Sequence, residues 1–409
     1  MRKRSRSTLF LKNVRFLYLP EALAVRCIAL EKLNISLIGC GGMMGAHVNG
    51  LRQLCSRGLR ILEVKAVCDV KETLAREKAR LVAEFQGSEP KVYTNVGEML
   101  RGESLDAVDI ALPHNVHHTV AAMCLDEGLD VIIEKPLGIT MRAARIIMDK
   151  ARKNNRVLAV AENYRRSPEN RAIRWVVEQG LIGEPRMIVW CSAGWSPGAW
   201  GWREDKYAAG GSWVFDGGVH LADLDRYHLG REAVEVYAVQ KTFDPLRGGV
   251  RVTVDDMTMG IIVYEGDVYA QWLWTRSAPG KAINLRMIYG SKGSVGNDSL
   301  FIQKENAVEM QNMSTLVSRM FESLKPEEKA KWFPMDITDT VATELYDFYD
   351  SVVNRHAPEV DGLEAYRDMA IPLGFYESAL LRKPVSVRDV EELRVEEYQK
   401  EINEKLEIP

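Results

Sequence analysis

The sequence contains no Cys-x-x-Cys pair. Its six cysteines, Cys27, Cys40, Cys55, Cys68, Cys124 and Cys191, are scattered, which argues against a zinc site or a disulfide framework and fits a reducing cytoplasm. Neither sign of charge is in excess: 54 Lys and Arg stand against 57 Asp and Glu, a net charge of -3. Nucleic acid, which calls for a basic footprint, is therefore not an expected partner. No apolar run approaches the ~18 uninterrupted residues that span a membrane. The nearest imitation lies in the first 32 residues, where Arg2, Lys3, Arg4 and Arg6 precede an apolar-leaning stretch over 9–29. Lys12, Arg15, Glu21 and Arg26 interrupt that stretch and no twin-arginine pair occurs, so residues 1–32 read as a surface arm or an early start codon rather than a signal peptide. Internal repeats are also missing.

What is present is an ordinary globular composition, 46% hydrophobic and 27% charged over 409 residues. At roughly 150 residues per domain, two or three domains with real cores are expected. Over 33–160, short β-branched runs alternate with amphipathic helical stretches, the rhythm of a parallel sheet with crossover helices. The expected strands are 34–38, 62–68, 107–111, 131–134 and 157–160; helices are expected over 73–85 and 140–153. Beyond 161 the texture changes. A helix over 169–179 stops at Gly180, and long alternating strands follow. In 268–275, Val268, Ala270, Trp272 and Trp274 share one face, as in a half-buried antiparallel strand. Turns are expected at 265–267 and 290–293, a surface loop or short helix over 323–331, and closing helices over 340–354 and 365–381.

Directly after the first strand comes Gly39-Cys40-Gly41-Gly42-Met43-Met44-Gly45-Ala46-His47. Glycines there let the backbone turn tightly and approach a pyrophosphate at a helix N-terminus. The second strand ends in Asp69, whose carboxylate can accept both ribose hydroxyls of NAD and would repel a 2′-phosphate. Lys71 softens that repulsion, but Asp69 still makes NAD the expected cofactor over NADP. The fingerprint departs from its usual form at Met44, which stands where a third glycine would allow close helix–strand packing. Cofactor contacts are expected from Gly39, Gly41, Gly42, Met43, Met44 and Asp69.

Further motifs narrow the reading: Pro113-His114-Asn115-Val116-His117, Glu134-Lys135-Pro136, and the run from Gly210-Gly211 through Asp216-Gly217-Gly218-Val219-His220 to Asp223. Together they resemble the Gfo/Idh/MocA oxidoreductases, over about 33–387 and including Tyr376-Glu377-Ser378; the N-terminal arm lies outside. The resemblance implies an α/β protein: an N-terminal Rossmann dinucleotide-binding domain (33–160) and a C-terminal α/β domain (161–409) with a large open, mostly antiparallel sheet. That second domain would bind substrate and commonly form an oligomer interface, a homodimer or homotetramer. The implied reaction is hydride transfer between nicotinamide and a sugar, glycoside or cyclitol. Pro113, His117, Glu134 and Lys135 are the residues the motifs bring to the cofactor.

Oxidising a secondary alcohol requires a base for the hydroxyl proton and a group stabilising the developing alkoxide. Lys135, past a strand's carboxyl end, can polarise the substrate oxygen. Asp216 and His220, four apart, share a face if their segment is one helix; His220 is the candidate acid/base because imidazole exchanges protons near neutral pH, and Asp216 would orient a neighbouring hydroxyl. As alternatives, Asp216 would cap a helix and His220 would be core packing. The segment 194–203 concentrates Trp195, Trp200, Trp202 and Arg203, which would stack on sugar faces and donate to hydroxyls, or else fill a domain contact. Tyr164, Arg165 and Arg166 would line the same cleft. A metal at His114, His117 and His118 is not expected, since adjacent histidines point apart and no carboxylate follows at ligand spacing. Two other functions remain open at this level: NAD-dependent glycoside cleavage through a transient keto-sugar, and a non-catalytic nucleotide-binding regulator.

Overall fold

The computed structural model describes residues 31–409, so all but the end of the expected arm lies outside the described residues. The first sheet contains β1 (Leu33–Ile38), β2 (Leu62–Cys68), β3 (Lys91–Tyr93), β4 (Ala107–Ile110), β5 (Asp130–Glu134) and β6 (Leu158–Ala161), all parallel, in the order β3-β2-β1-β4-β5-β6. The helices α1 (Gly42–Ser56), α2 (Glu72–Gln86), α3 (Val96–Gly102), α4 (His117–Asp126) and α5 (Met141–Lys153) make the connections. Five strands agree with the expected runs to within a residue at either end. β3 was not anticipated. Its three residues sit at the sheet edge and bury little, too short for a hydrophobic period to register. The strand order reverses between β1 and β4, which opens a crevice at their carboxyl ends where open α/β sheets collect ligands.

The chain then forms α6 (Pro168–Glu178), β7 (Pro185–Ala193), α7 (Lys206–Ala209), α8 (Trp213–Asp216), α9 (Gly218–Leu229), β8 (Ala233–Lys241) and the small hairpin β9 (Leu246–Arg247) with β10 (Val250–Arg251). β11 (Met257–Tyr264), β12 (Val268–Thr275), β13 (Ile283–Gly290), β14 (Gly293–Gly296), β15 (Ser299–Gln303) and β16 (Val308–Asn312) follow. The closing elements are α10 (Met313–Ser323), α11 (Pro326–Trp332), α12 (Thr340–Asn354), α13 (Gly362–Leu381), β17 (Val385–Ser386), α14 (Val387–Glu391) and α15 (Glu397–Lys405). Nine strands make the second sheet, ordered β16-β15-β14-β13-β7-β12-β11-β8-β17. All its pairings are antiparallel except β12 with β7, which run parallel.

One face of this sheet is covered by α9 and α13. Val268, Ala270, Trp272 and Trp274 of β12 are buried against them while Tyr269 is exposed, as the alternation requires. Gly260 in β11 marks the closest approach: a Cβ there would meet the Phe375 ring of α13 at 2.5 Å. The other face carries the half-exposed apolar side chains Tyr237, Met259, Ile261, Tyr269, Ile283 and Leu285. The last helices fold back onto the first sheet. α12 packs on α1 across Gly50, where a Cβ would come within 3.1 Å of the Ala342 nitrogen. This return brings Glu344 beneath the crevice.

Candidate active site

The glycine loop forms the crevice floor. Gly39 has φ +85°, and a Cβ on it would meet the Ala111 carbonyl oxygen at 2.2 Å, so no side chain fits. Gly41 and Gly42 face open space at the start of α1, a 15-residue helix whose first turn has no side-chain cap. Free N–H groups at a positive dipole end, with nothing projecting into the space before them, suit a pyrophosphate. Asp69 stands beside this loop, one carboxylate oxygen accepting the Cys40 N–H at 2.7 Å and the other the Lys71 N–H at 2.7 Å. A carboxylate has about four lone-pair sites, so both oxygens retain capacity for a ribose diol. These residues fit a nicotinamide dinucleotide. Met43 is exposed at the loop, but the Met44 side chain is completely buried in the core, so only its backbone is left for a cofactor; the missing third glycine is absorbed by turning this side chain inward.

Lys135 follows β5, and its peptide bond to Pro136 is cis. Its Nζ donates to the Asp216 carbonyl at 2.8 Å and to Asp216 Oδ1 at 2.9 Å. Asp216 Oδ1 also lies 3.3 Å from His114 Nε2, and Oδ2 accepts from Arg203 Nε at 2.6 Å. Burial opposes the Lys135 charge, but Asp216, Glu134 and Glu162 outweigh it and raise its pKa. Burial likewise pushes Asp216 up, and Lys135, His114 and Arg203 more than reverse this, holding its carboxyl well below the usual range. The result is an ammonium and a carboxylate that each favour the other's charged form. Tyr376 braces the loop that carries Asp216: its hydroxyl accepts the Ser212 N–H at 2.8 Å and donates to Asp255 at 2.7 Å.

Asp216 and His220 do not belong to one helix. α8 ends at Asp216 and α9 begins at Gly218; at Gly217 between them a Cβ would meet the Trp213 indole at 2.2 Å. Asp216 therefore closes α8 rather than capping α9. His220 turns its Nδ1 to Glu162, 2.8 Å from Oε1 and 2.6 Å from Oε2, and its ring is stacked on Tyr164 with centroids 3.8 Å apart. Glu162 also acts on Lys135, which links the two clusters electrostatically. Sequence reasoning missed Glu162 and the His114 contact. Glu162 directly follows β6, so the same strand-end rule that singled out Lys135 would have found it.

Other expected contacts are redirected. Arg165 is buried, with Nε donating to both Asp223 oxygens at 2.9 and 3.0 Å; Arg166 is buried against Asp347 and Glu359. Neither lines the cleft, because each guanidinium is needed to neutralise a buried carboxylate. Tyr164 is exposed and turns its ring onto His220. His117 is fully buried, its ring nitrogens each 2.9 Å from the Pro136 and Leu112 carbonyls, and burial first, then His114, lowers its pKa to about 4; it braces the Lys135 turn instead of meeting a cofactor. Glu134 is buried and turns one oxygen to His47 Nε2 at 3.1 Å, while His47 Nδ1 meets Asp109 at 2.8 Å. Burial opposes charge on His47, but the flanking carboxylates raise its pKa well above the ordinary value. The tryptophans divide: Trp202 meets His114 edge-on at 4.8 Å, whereas Trp195 and Trp200 lie under the guanidinium groups of Arg247 and Arg276.

Residues 33–162 match the family described as "Oxidoreductase family, NAD-binding Rossmann fold", and residues 170–296 match "GFO/IDH/MocA C-terminal domain". Similar proteins include the levoglucosan dehydrogenase of Pseudarthrobacter phenanthrenivorans, 29% identical over 65% of this chain and 73% of that protein. The 1,5-anhydro-D-fructose reductase of Ensifer adhaerens is 25% identical over 71% of this chain and 82% of its own. Among solved structures, an oxidoreductase domain protein from Kribbella flavida shares the fold with a TM-score of 0.73 at 22% identity, covering 87% of this chain and 99% of that one. A levoglucosan dehydrogenase complex with NADH and levoglucosan gives 0.72 at 24%, covering 87% and 100%.

Proposed function

Since this chain belongs to the Gfo/Idh/MocA family of NAD-binding oxidoreductases, we propose that it transfers hydride between NAD and a ring hydroxyl or ketone of a sugar, glycoside or cyclitol. The observation that carries this reading is the Lys135 ammonium held 2.9 Å from Asp216, beside an imidazole, at the mouth of a glycine-lined dinucleotide crevice. Bound there, NAD supplies the hydride acceptor, or in reduced form the donor. Gly41, Gly42 and the start of α1 would seat the pyrophosphate, and Asp69 the ribose diol.

The residues divide the remaining work. Lys135 stays protonated, so it stabilises a developing alkoxide by hydrogen bonding and does not act as the base. His220 takes the hydroxyl proton in oxidation and returns it in reduction. Asp216 keeps Lys135 charged and orients a neighbouring hydroxyl when Arg203, half-exposed, yields an oxygen to it. Trp202 and Tyr164 present ring faces to the apolar side of a sugar. The relatives named above are a levoglucosan dehydrogenase and a 1,5-anhydro-D-fructose reductase, which supports a carbohydrate-type substrate. The half-exposed apolar face of the second sheet supports a homodimer or homotetramer, and the free buried thiols Cys40, Cys68 and Cys124 support a cytoplasmic location. No helix among the described residues is long and apolar enough to cross a membrane.

The test is a panel of sugars, glycosides and cyclitols with NAD, read by NADH absorbance, and of keto-sugars with NADH. NADH formation on at least one ring alcohol is expected. Tight NAD binding with no turnover across the panel would count against the reading; aglycone release without net NADH would point to glycoside cleavage. Light scattering on an eluting column tests the oligomer.

A further inference from the structure

We infer that Glu162 and Tyr164 together position His220, so that its Nε2 is the atom that exchanges the substrate proton. This rests on the hydride-transfer reading above. Neither residue belongs to the motifs that single out Lys135, Asp216 and His220.

Two constraints act on the one ring. At its edge, the Glu162 carboxylate meets Nδ1 through both oxygens, at 2.8 and 2.6 Å, and Glu162 is itself fixed because its Oε1 accepts the Tyr164 N–H at 2.9 Å. On its face, the Tyr164 ring lies nearly coplanar, at 3° and 3.8 Å. A ring held at one edge and one face can neither flip nor tilt. Among the described residues, Nε2 has no protein hydrogen-bond partner, so it is the nitrogen left for a substrate.

The charge around the pair decides where the proton sits. Glu162 is 3% exposed. Burial favours its neutral acid, but the imidazole and the Tyr164 N–H stabilise the carboxylate more and lower its pKa. The other groups facing it are Arg165 from the same turn, Lys135 from the end of β5, Asp223 from α9 and Glu344 from α12. An ionised Glu162 can only accept, so in the neutral ring the hydrogen is kept on Nδ1 and the lone pair on Nε2. The neighbouring ion pair of Arg165 with Asp223 is a useful contrast: it is equally buried, but there the carboxylate is met by a guanidinium, through both of its oxygens. A carboxylate that fixes the tautomer of a metal-bound imidazole typically changes activity about 10- to 100-fold when removed, and the same scale is expected for this pair.

The experiment uses the full chain with 15N-labelled histidine, whose seven imidazoles keep the spectrum simple; His220→Asn identifies the resonance. Without substrate, the neutral His220 ring is expected to carry its proton on Nδ1. In kinetics, Glu162→Gln is expected to lower kcat about 10- to 100-fold with the Kd for NAD changed less than about twofold. Tyr164→Phe should retain most activity and Tyr164→Ala should lose at least about fivefold, since only the ring face is used. An Nε2–H tautomer in the unaltered protein would overturn the inference, as would an unchanged kcat in Glu162→Gln. The tautomer needs no known substrate, so a failed substrate panel would sink the hydride-transfer reading while leaving this measurement to decide the clamp.

Discussion

Lys135 and Asp216 lie 81 positions apart in sequence, one at the end of a parallel strand and the other at the end of a short helix against the second sheet, and their side chains meet at 2.9 Å. Each explains the ionisation of the other. Burying either alone would favour its neutral form, and the pair stays charged because both are buried together.

Removing one partner should therefore cost both catalysis and stability. Lys135→Met is expected to lower turnover at least ~100-fold and, by leaving Asp216 with fewer counter-charges, to destabilise the fold by about 3 kcal/mol, the lower end for a broken buried pair. NAD affinity should change little. Adding Asp216→Asn should recover part of the lost stability without recovering turnover; steady-state kinetics, calorimetric NAD titration and urea unfolding check the three parts.

Asp69 separates the two nicotinamide cofactors. Asp69→Asn keeps an acceptor for the Cys40 N–H, so the glycine loop should persist. The expected result is about a tenfold or larger loss of NAD affinity, the worth of a hydrogen bond to a charged group, with a smaller loss for NADP. Calorimetric titration of both cofactors reads the ratio; an unchanged ratio would remove Asp69 from the cofactor site.

Arg203 should act on substrate binding more than on the chemical step. Its guanidinium holds one Asp216 oxygen at 2.6 Å, while its side chain is 42% exposed, so it can shift toward a substrate at low cost. Arg203→Ala is expected to raise KM for the sugar about tenfold, one charge-assisted hydrogen bond, with kcat affected less. A kcat loss at constant KM would place it in the chemical step instead.

Glu344 gives the fold a pH-dependent weakness. Both of its carboxyl oxygens are buried without a hydrogen-bond partner. Burial, opposed only by His47 and Arg166 and reinforced by Glu134 and Glu162, raises its pKa well above the ordinary value. A raised acid lends its full stability below the unfolded pKa of about 4.5 and loses it as pH rises toward the folded value, because the unfolded chain then ionises while the folded one resists. Glu344→Met is therefore expected to stabilise the protein by about 1–3 kcal/mol near neutral pH, with the gain shrinking as pH falls to about 4.5. Thermal unfolding across pH checks the slope; a gain that does not depend on pH would show that Glu344 is ionised in the fold.

How much of this was legible beforehand differs from residue to residue. The strand over 62–68 and the helix over 340–354 coincide with β2 and α12 because hydrophobic period and caps are local signals; Asp339, for example, caps α12 by accepting the Ala342 N–H at 2.8 Å. Gly39 was legible for the same reason, since a tight turn after a strand is written in adjacent residues. The parallel pairing of β7 with β12 was not, because alternation shows which face of a strand is buried but not which neighbour it meets. Arg165 and Glu162 show the deeper limit. Both follow β6 within a few residues, and nothing in that segment says which charge turns inward to Asp223 and which turns to His220.

The chain by itself determined that a glycine turn and an acid would follow the first two strands, and its motifs singled out Lys135, Asp216 and His220 as candidates for acid–base chemistry, since motif spacing and side-chain type are properties of the covalent sequence. Tertiary structure alone decided which of those charges survive burial, that Met44, His117, Arg165 and Arg166 serve the scaffold, and that Glu162 faces His220. The reason is that ionisation and partner choice in a buried site depend on distances of a few ångströms between segments far apart in sequence, and only the closed fold sets those distances.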